Sequence, residues 1–275
     1  MPFSFVCKGT LHEFDRPAVM GILNVTPDSF YDGGRYLADD KMLEQARRIA
    51  DEGADIIDVG VVSTRPGAQL LPPEEEAKKL SHAVQLIRRE LPNAVISVDT
   101  CFALPAQKAL DAGADIVNDI SGGMFDAELW NVVASYHAPY ILMHTTTTPD
   151  HMQDDPRYDD ILKEVAYYFS EKLDVLYRKG VNDIIIDPGF GFGKTVAHNH
   201  ELFHHIPDLL ALFPKQPLLV AMSRKSMIYK PLGITAEQAL PGTVALNAIA
   251  LHMGAKLIRV HDVKEAVQTV KLLQL

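Results

Sequence analysis

The chain has 275 residues, of which 47% are hydrophobic and 23% charged, and its formal net charge is −10. This length and composition predict a soluble globular protein with one large domain. A nucleic-acid-binding protein would need a basic stripe, which this acidic chain lacks, so we expect no nucleic-acid partner. The apolar stretch over 244–258 is interrupted by polar residues and is too short to cross a bilayer, so we expect no membrane partner.

The cysteines and the N-terminal residues indicate a cytoplasmic protein. Cys7 and Cys101 are the two cysteines of the sequence and lie far apart, which is typical of reduced thiols and not of a disulfide framework. The first ten residues have neither a long apolar core nor a small-residue cleavage site, so we expect no secretory signal.

Eight short apolar runs recur along the chain, and segments with helical spacing lie between most of them. The runs cover residues 18–24, 55–60, 94–99, 115–119, 139–144, 183–187, 217–223 and 256–262. Eight strand–helix units predict an α/β fold, a (β/α)8 TIM barrel that forms a single domain over residues 1–275. Ahead of the first run, residues 3–7 and 11–14 flank the turn Lys8-Gly9-Thr10 and predict a short β-hairpin that caps the bottom of the barrel.

The connecting segments carry their own signals. A loop over 24–34 contains Pro27 and two adjacent glycines, and a second long loop covers 61–67. Apolar spacing predicts the first helix over 40–52, and three glutamates at 74–76 suit the first turn of the second. The glycines at 53, 113 and 254 each precede an apolar run, which predicts a left-handed helix cap before a strand.

Polar residues at the ends of the runs form the candidate site. In a (β/α)8 barrel, the carboxyl ends of the strands make one rim, and the chemistry takes place at that rim. The predicted exits carry acids, bases and amides, namely Asn24, residues 63–65, Asp99, Asn118, His144, Asp187, residues 224–226, Arg259 and His261.

The segment GFGFGKT at 189–195 superficially matches a phosphate-binding P-loop. The Walker pattern requires a glycine five residues before Gly193, and that position is Pro188. The dinucleotide spacing G-x-G-x-x-G also fails, because Lys194 and Thr195 follow Gly193. We therefore reject a P-loop, although the glycines still predict a close approach of the backbone to another group.

The segment HELFH at 200–204 matches the zinc-protease helix H-E-x-x-H. A third zinc ligand should follow, and the expected extension is missing. Pro207 also ends the helix soon after, and a helix of the outer ring lies away from the rim. We interpret this match as accidental, with His200 and His204 as surface or interface residues.

Six motifs at the predicted strand exits together resemble the dihydropteroate synthase family over residues 18–270. They are GILNVTPDSF at 21–30, STRPGA at 63–68, NDISGG at 118–123, DPGFGFGK at 187–194, SRKS at 223–226 and RVHD at 259–262. The family has the (β/α)8 fold. Its reaction joins 6-hydroxymethyl-7,8-dihydropterin pyrophosphate to p-aminobenzoate in folate synthesis and releases pyrophosphate. The resemblance implies these two small-molecule substrates, Mg²⁺ as cofactor, and a homodimer.

For the pterin, the resemblance implies a pocket whose residues are Asp99, Asn118, Met143, Asp187, Phe192 and Lys225. The donor-rich edge of a pterin ring needs buried acceptors, and charge-assisted hydrogen bonds contribute about 1.5–3 kcal/mol each. Lys225 would reach the acceptor side of the ring, with Met143 and Phe192 on its faces. The alternative for Asp99 and Asp187 is that each caps the helix after its strand.

For the pyrophosphate, the resemblance implies Asn24, Arg65, Arg259 and His261, with Asn24 also binding Mg²⁺. An acidic protein must concentrate positive charge to hold this anion. Arg259 and His261 alternate along the last strand, so we expect both on the same side, although an ordinary amphipathic strand has the same period. An amide oxygen, phosphate oxygens and water suit Mg²⁺.

For p-aminobenzoate, the resemblance implies Thr64, Arg65, Pro66, Lys225 and Ser226, with the loop residues Asp28 and Phe30 closing over the site. The catalytic set would be Asp99, Lys225, Arg259 and His261. No nucleophilic residue is needed, because the pyrophosphate leaves a methylene that the pterin ring can stabilise as a cation. We therefore expect an SN1-like substitution that depends on positioning and electrostatics.

The sequence departs from the family at loop 2, where Val61 and Val62 replace a glycine and a glutamate. This departure leaves two alternatives open besides the synthase. One is a catalytically impaired paralogue that binds pterin without turnover. The other is a folate–corrinoid methyltransferase-type pterin-binding barrel, which would not need the loops over 24–30 and 63–67 and would require a corrinoid partner.

Overall fold

The computed structural model describes residues 3–25, 35–61, 71–146 and 156–274. Within them, a two-stranded antiparallel hairpin, β1 (Phe3–Cys7) and β2 (Thr10–Phe14), precedes an eight-stranded parallel sheet. The strands of the sheet are β3 (Ala18–Asn24), β4 (Ile56–Gly60), β5 (Val95–Asp99), β6 (Ile116–Asp119), β7 (Tyr140–Met143), β8 (Ile184–Asp187), β9 (Leu219–Val220) and β10 (Leu257–Val260). This arrangement confirms the predicted (β/α)8 fold with its hairpin.

Helices follow the strands and form the outer layer. They are α1 (Arg35–Asp51), α2 (Pro73–Glu90), α3 (Ala103–Ala112), α4 (Leu129–Tyr136), α5 (Ile161–Arg178), α6 (Val196–His204), α7 (Ile206–Leu212), α8 (Ser226–Leu232), α9 (Leu240–His252) and α10 (Val263–Leu272). Within the described ranges, no helix is both long and apolar enough to cross a membrane.

The sheet closes into a barrel. Its strand order is β8-β7-β6-β5-β4-β3-β10-β9, and a parallel bridge between Ile186 and Leu218 joins the two outer strands of that order. The main core packs the helices against the outside of the strands, whereas a second cluster fills the barrel interior. Phe3, Phe5 and Cys7 of the hairpin point into that second cluster, so the hairpin closes the bottom of the barrel as predicted.

Most predicted strand boundaries agree with the structure to within one residue, and the last two strands are shorter. The run over 217–223 yields the two-residue strand β9, because the chain turns where Lys225 N donates to Met222 O at 3.0 Å and Arg224 has a φ of 57°. The run over 256–262 ends as a strand at Val260, since Asp262 is already the N-cap of α10.

The helix boundaries follow the sequence signals with one difference. Helix α1 begins at Arg35, earlier than the predicted residue 40, whereas α2 begins at Pro73 with its three glutamates in the first turn. Gly113 follows α3 with a φ of 114° and its N–H bonds the carbonyls of Ala109 and Leu110, as a left-handed cap requires.

Candidate active site

The carboxyl ends of β4, β5, β6 and β10 bring four polar side chains into one buried network. Arg259 Nε donates to Asp58 Oδ2 at 2.6 Å, and its Nη2 donates to Asp99 Oδ2 at 2.8 Å. Asn118 Nδ2 donates to the same Asp58 oxygen at 3.1 Å. Because β3 alone separates β10 from β4, the arginine reaches past the end of β3 to make these contacts. The predicted Asp99, Asn118 and Arg259 therefore meet in one place.

One guanidinium serves two carboxylates in this network. Asp58 is fully buried and the side chain of Asp99 is 6% exposed. Burial raises the pKa of Asp99 despite the opposing charge of Arg259, and the charge of Asp58 raises it further. Burial alone would lower the pKa of Arg259, but Asp58 and Asp99 raise it above its usual value. Arg259 therefore stays charged, and Asp99 takes up a proton more readily than an exposed aspartate.

Asp58 is a site residue that the sequence prediction missed. It lies in the middle of the run Ile56-Ile57-Asp58-Val59, whereas the prediction considered the last residues of each run. A carboxylate inside an otherwise apolar strand was the available signal. Its Oδ1 is buried and has no hydrogen-bond partner among the residues that the structure describes.

Asp58 also determines the orientation of Asn118. An ionised carboxylate accepts hydrogen bonds and donates none, so the amide nitrogen of Asn118 must face Asp58. The amide oxygen of Asn118 is therefore available to a donor on another group. This orientation is the one that recognition of a donor-rich ring edge requires.

The opposite side of the mouth is formed by β8 and the residues before α8. Lys225 Nζ donates to Phe190 O at 2.7 Å and lies 4.8 Å from the centroid of the Phe192 ring. Burial lowers the pKa of Lys225 to about 8, and the charge of Asp187 opposes that shift. Burial likewise raises the pKa of Asp187, and Lys225 opposes it. Asp187 Oδ1 accepts from Gly189 N and Lys225 donates to the next residue, so the predicted Asp187 and Lys225 contact adjacent residues of the same loop.

The helix-capping alternative fails for both aspartates. Asp187 Oδ1 accepts from Gly189 N at 2.8 Å in a local turn, whereas the helix after its strand, α6, is capped by Thr195. The N-cap of α3 is Phe102 and receives no side-chain hydrogen bond, so Asp99 does not cap the helix that follows its strand.

A small apolar cluster lies between these two polar sides. Met143 and Phe192, both predicted to pack on a flat ring, pack in it together with Cys101 and Ile120, and the partly buried Phe125 lies against them. The sequence prediction missed the last three residues, since nothing in their spacing distinguishes them from the main core.

Glu76 is a second carboxylate that the prediction assigned to a different role. It lies in the first turn of α2, where a helix dipole favours acids, but it is only 2% exposed. Its Oε1 accepts from Thr100 Oγ1 at 2.5 Å, directly after Asp99. Burial raises the pKa of Glu76 to about 7, with the Thr100 hydrogen bond opposing the shift.

The residues predicted for the anion lie at the ends of β3 and β10. Asn24 is the exposed last residue of β3, and its Oδ1 and Asp99 Oδ2 both lie within 4 Å of the point where a Cβ on Gly60 would stand. His261 directly follows β10 and is exposed, with its N–H donating to Ser223 Oγ at 3.3 Å.

The turn before α8 is tied to the end of β10. Arg224 holds Asp262 with two hydrogen bonds, of 2.9 Å from Nε and 2.7 Å from Nη2. Ser226, the half-buried first residue of α8, follows Lys225 directly. This ion pair therefore places the predicted Lys225 and Ser226 beside the predicted His261.

Several predicted residues lie outside the described ranges. They are Thr64, Arg65 and Pro66 with the neighbouring Val62, and the loop residues Asp28 and Phe30. Val61, the first of the two valines that depart from the family, is described and is 2% exposed.

The histidines of the H-E-x-x-H segment lie on α6 in the outer ring. His200 Nε2 donates to Met227 O at 2.9 Å, so this nitrogen is engaged by a carbonyl of α8. Among the described residues, no group of three or more histidine, cysteine, aspartate or glutamate side chains is placed to hold a metal ion.

Comparison with known proteins identifies the family to which this site belongs. The model of the pterin binding enzyme family matches residues 20–261, from β3 to the residue after β10. The dihydropteroate synthase of Synechocystis is 43% identical over 260 residues, which are 94% of this chain and 89% of that protein. The chain belongs to the dihydropteroate synthase family.

Other members of the dihydropteroate synthase family agree in sequence and structure. The Escherichia coli enzyme is 39% identical, covering 97% of this chain and 94% of that protein. The structure of the Yersinia pestis dihydropteroate synthase with a sulfonamide drug complex superposes on this chain with a TM-score of 0.90 at 38% identity. The match covers 99% of this chain and 98% of the Yersinia pestis chain. The Xanthomonas albilineans dihydropteroate synthase with 4-aminobenzoic acid has a TM-score of 0.88 at 37% identity, over 98% of this chain and 97% of its own.

Proposed function

We propose that the protein is a dihydropteroate synthase that condenses 6-hydroxymethyl-7,8-dihydropterin pyrophosphate with p-aminobenzoate and releases pyrophosphate. The observation that carries this proposal is the pairing of two acids and an oriented amide on one side of a small apolar cluster with a half-buried lysine on the other. That combination matches a flat ring with a donor-rich edge and an acceptor side. The names of the full-length relatives support the synthase over the folate–corrinoid methyltransferase.

The pterin ring would lie between the two polar sides of this cluster. The oxygen of Asn118 and the carboxylates of Asp99 and Asp187 would accept from the amino-pyrimidinone edge. Lys225 would donate to the acceptor side, and Met143 with Phe192 would cover the faces. Each charge-assisted hydrogen bond contributes about 1.5–3 kcal/mol, so two of them supply most of the ring specificity.

The pyrophosphate would lie toward Asn24, Arg65, Arg259 and His261. Two acids already balance the charge of Arg259. This arginine would therefore orient the pyrophosphate through its remaining N–H groups and would not supply an unpaired positive charge. An additional cation is therefore required at the leaving group, which supports the proposed Mg²⁺. The donor set fits this ion, because Asn24 offers one exposed amide oxygen close to Asp99 and the phosphate oxygens supply further ligands. When bound, Mg²⁺ would stabilise the negative charge of the departing pyrophosphate.

For p-aminobenzoate, we propose a site made by Thr64, Arg65, Pro66, Lys225 and Ser226. Ser226 stands at the amino end of α8, where the N–H groups of the first turn favour a carboxylate. The substitution would be SN1-like. The methylene C–O bond breaks and its electron pair leaves with pyrophosphate, and the pterin stabilises the cation. The neutral amine then forms the new C–N bond and loses a proton.

We also propose that the protein is a cytoplasmic homodimer and a target of sulfonamides. Cys7 and Cys101 are both buried and unpaired with each other, as expected of thiols in a reducing compartment. The sulfonamide complex of the Yersinia pestis relative supports the last point.

The test is pyrophosphate release from the dihydropterin pyrophosphate with Mg²⁺, measured with and without p-aminobenzoate. Stoichiometric dihydropteroate would establish the synthase. Calorimetric binding of the pterin with no release would instead identify the impaired paralogue and point to loop 2, where Val61 and Val62 lie. A requirement for a corrinoid partner would identify the methyltransferase.

A further inference from the structure

Lys194 is a buried lysine that the proposed reaction does not use. Its side chain is 2% exposed, and Nζ lies 2.9 Å from His144 Nδ1, 3.0 Å from Gly189 O and 3.0 Å from Phe192 O. An ammonium group has three N–H donors, so these three acceptors satisfy it fully. A buried ammonium without such partners would be strongly unfavourable.

The loop over 188–194 is folded around this side chain. Two of the three acceptors are carbonyls of the loop itself, so Lys194 closes its own segment into a ring. A Cβ on Gly189, whose φ is 70°, would lie 2.0 Å from His144 O, and one on Gly193, whose φ is 58°, would lie 2.6 Å from Thr146 Oγ1. The glycines that resembled a phosphate loop therefore allow the backbone of this loop to pack closely against the residues after β7.

The same loop presents the groups that face the proposed pterin site. Phe190 O accepts from Lys225 Nζ at 2.7 Å, the Phe192 ring lies under that ammonium, and Gly189 N donates to Asp187 Oδ1. All three groups belong to the stretch from Gly189 to Phe192, whose first and last carbonyls accept from Lys194. Loss of the Lys194 contacts would therefore release the segment that positions Lys225, Phe192 and Asp187 together.

His144 completes the arrangement from the end of β7. Its Nδ1 faces the Lys194 ammonium and accepts from it, so the ring proton lies on Nε2. Burial and the charge of Lys194 lower the pKa of His144 well below its usual value, which keeps the ring neutral. The rings of Tyr158, Tyr168 and Phe169 surround His144, and Tyr158 OH donates to Gly193 O at 2.8 Å.

We propose that Lys194, held by His144, is a positioning residue for pterin recognition, because it shapes residues 189–192 so that Lys225 and Phe192 face the ring. The proposal rests on the function proposed above. It concerns mainly the pterin half of the site, since Phe192 and Asp187 are proposed for the pterin alone and Lys225 is the single loop-held residue proposed for both substrates. The consequence is a defect that distinguishes the two substrates.

The test compares Lys194→Met with Lys172→Met. Lys172 is a half-buried lysine that lies over the Trp130 and Tyr168 rings and makes no contact with the loop in the structure, so its variant controls for removal of a buried ammonium. Loss of hydrogen bonds to a charged donor predicts an increase of about tenfold or more in KM for dihydropterin pyrophosphate in Lys194→Met. KM for p-aminobenzoate should rise less than KM for the pterin in Lys194→Met, because Lys225 alone is shared, and should change less than about twofold in Lys172→Met.

A second readout does not depend on activity. Hydrogen exchange of the peptide over 188–195 should accelerate in Lys194→Met, since Phe192 N donates to Gly189 O within the ring that Lys194 closes. Calorimetry with 6-hydroxymethylpterin should show the corresponding loss of affinity. The proposal would be overturned if Lys194→Met left both the hydrogen exchange of residues 188–195 and the KM or affinity for the pterin unchanged. It would also be overturned if the KM values for the pterin and for p-aminobenzoate increased equally.

If Lys194→Met does not fold, His144→Ala provides the milder test, because Lys194 then keeps its two carbonyl acceptors. The same changes in exchange and pterin affinity are expected, with smaller size. An unmodified protein that binds 6-hydroxymethylpterin but releases no pyrophosphate would contradict the proposed function. The exchange and calorimetric comparisons would still decide the role of Lys194.

Discussion

The two ends of the barrel are closed in different ways. At the bottom, Phe3, Phe5 and Cys7 of the hairpin cover the barrel interior with apolar side chains. At the top, Asp58, Asp99 and Arg259 bury charges in the mouth. Apolar burial stabilises the fold directly, whereas buried charges are retained at a cost that hydrogen bonds must offset. In a (β/α)8 barrel, stability depends on the bottom face and function on the top face, and we expect the same division in this protein.

An ion pair at each end makes the comparison direct. Arg16 holds Asp55 through two hydrogen bonds of 2.8 and 2.7 Å at the bottom, where Asp55 also accepts from Val19 N. Arg259 holds Asp58 and Asp99 at the top. The bottom pair joins the segment after the hairpin to the start of β4. The top pair orients the groups that are proposed to bind substrate. We therefore expect losses of stability from the first pair and losses of activity from the second.

The largest effect is expected from Asp58→Ala. The substitution removes the carboxylate oxygen that accepts from both Asn118 Nδ2 and Arg259 Nε, so it releases the orientation of Asn118 and the Nε contact of Arg259. Two charge-assisted contacts of about 1.5–3 kcal/mol each predict a fall in kcat/KM of about 10³-fold. Steady-state kinetics with dihydropterin pyrophosphate measures this effect. The matched control, Asp55→Ala, should keep kcat/KM per folded molecule; equal kinetic losses in both variants would erase the distinction between the two ends.

The opposite result is expected from Phe5→Ala at the bottom. Its buried ring packs against the barrel interior and stacks with His12, so truncation should lower the free energy of unfolding by about 3–5 kcal/mol. Denaturant unfolding measures the loss. The remaining folded protein should retain its KM values, and a changed KM for either substrate would show that the bottom end influences the site.

A smaller effect is expected from Arg259→Lys. The variant keeps the charge but cannot reach Asp58 and Asp99 with two separate N–H groups at once. A loss of one charge-assisted hydrogen bond predicts a decrease of about 10–100-fold in kcat/KM. Arg16→Lys is the control and should affect thermal unfolding alone. Pyrophosphate release by Arg259→Lys at the rate of the unmodified enzyme would contradict the assigned role of the guanidinium.

The smallest effect is a pH dependence of the top end. The pKa of Lys225 is lowered to about 8 from the usual 10.5, so its charge is lost above about pH 8 and kcat/KM for the pterin substrate should fall there. Between about pH 8 and pH 10.5, Lys225 binds its proton more fully in the unfolded chain than in the folded one. Lys225 therefore makes the free energy of unfolding rise with pH across this range. Lys225→Arg should move the alkaline limb to higher pH. If the alkaline limb of the pH profile does not move in this variant, the limb reflects the titration of another group.

The sequence by itself determined the barrel, because short apolar runs, the helical spacing between them and the glycine caps are local signals. It also determined which end carries the site, because parallel strands all bring their carboxyl ends to one rim. The motifs named Asp99, Asn118, Asp187, Lys225 and Arg259. In the structure Arg259 contacts Asp99, Asn118 contacts Asp58, and Asp187 and Lys225 contact the same loop after β8. The roles assigned to these residues remain predictions.

The tertiary structure alone decided which groups these residues meet. Asp58 and Arg259 are 201 residues apart and meet because β10 and β4 lie on the two sides of β3 in the closed sheet. Glu76 and Lys194 look like an ordinary helix acid and a loop lysine in sequence, and only the packing around them shows that both are buried and hydrogen-bonded. Spacing along the chain carries no information about such contacts, because register and closure determine them across the barrel.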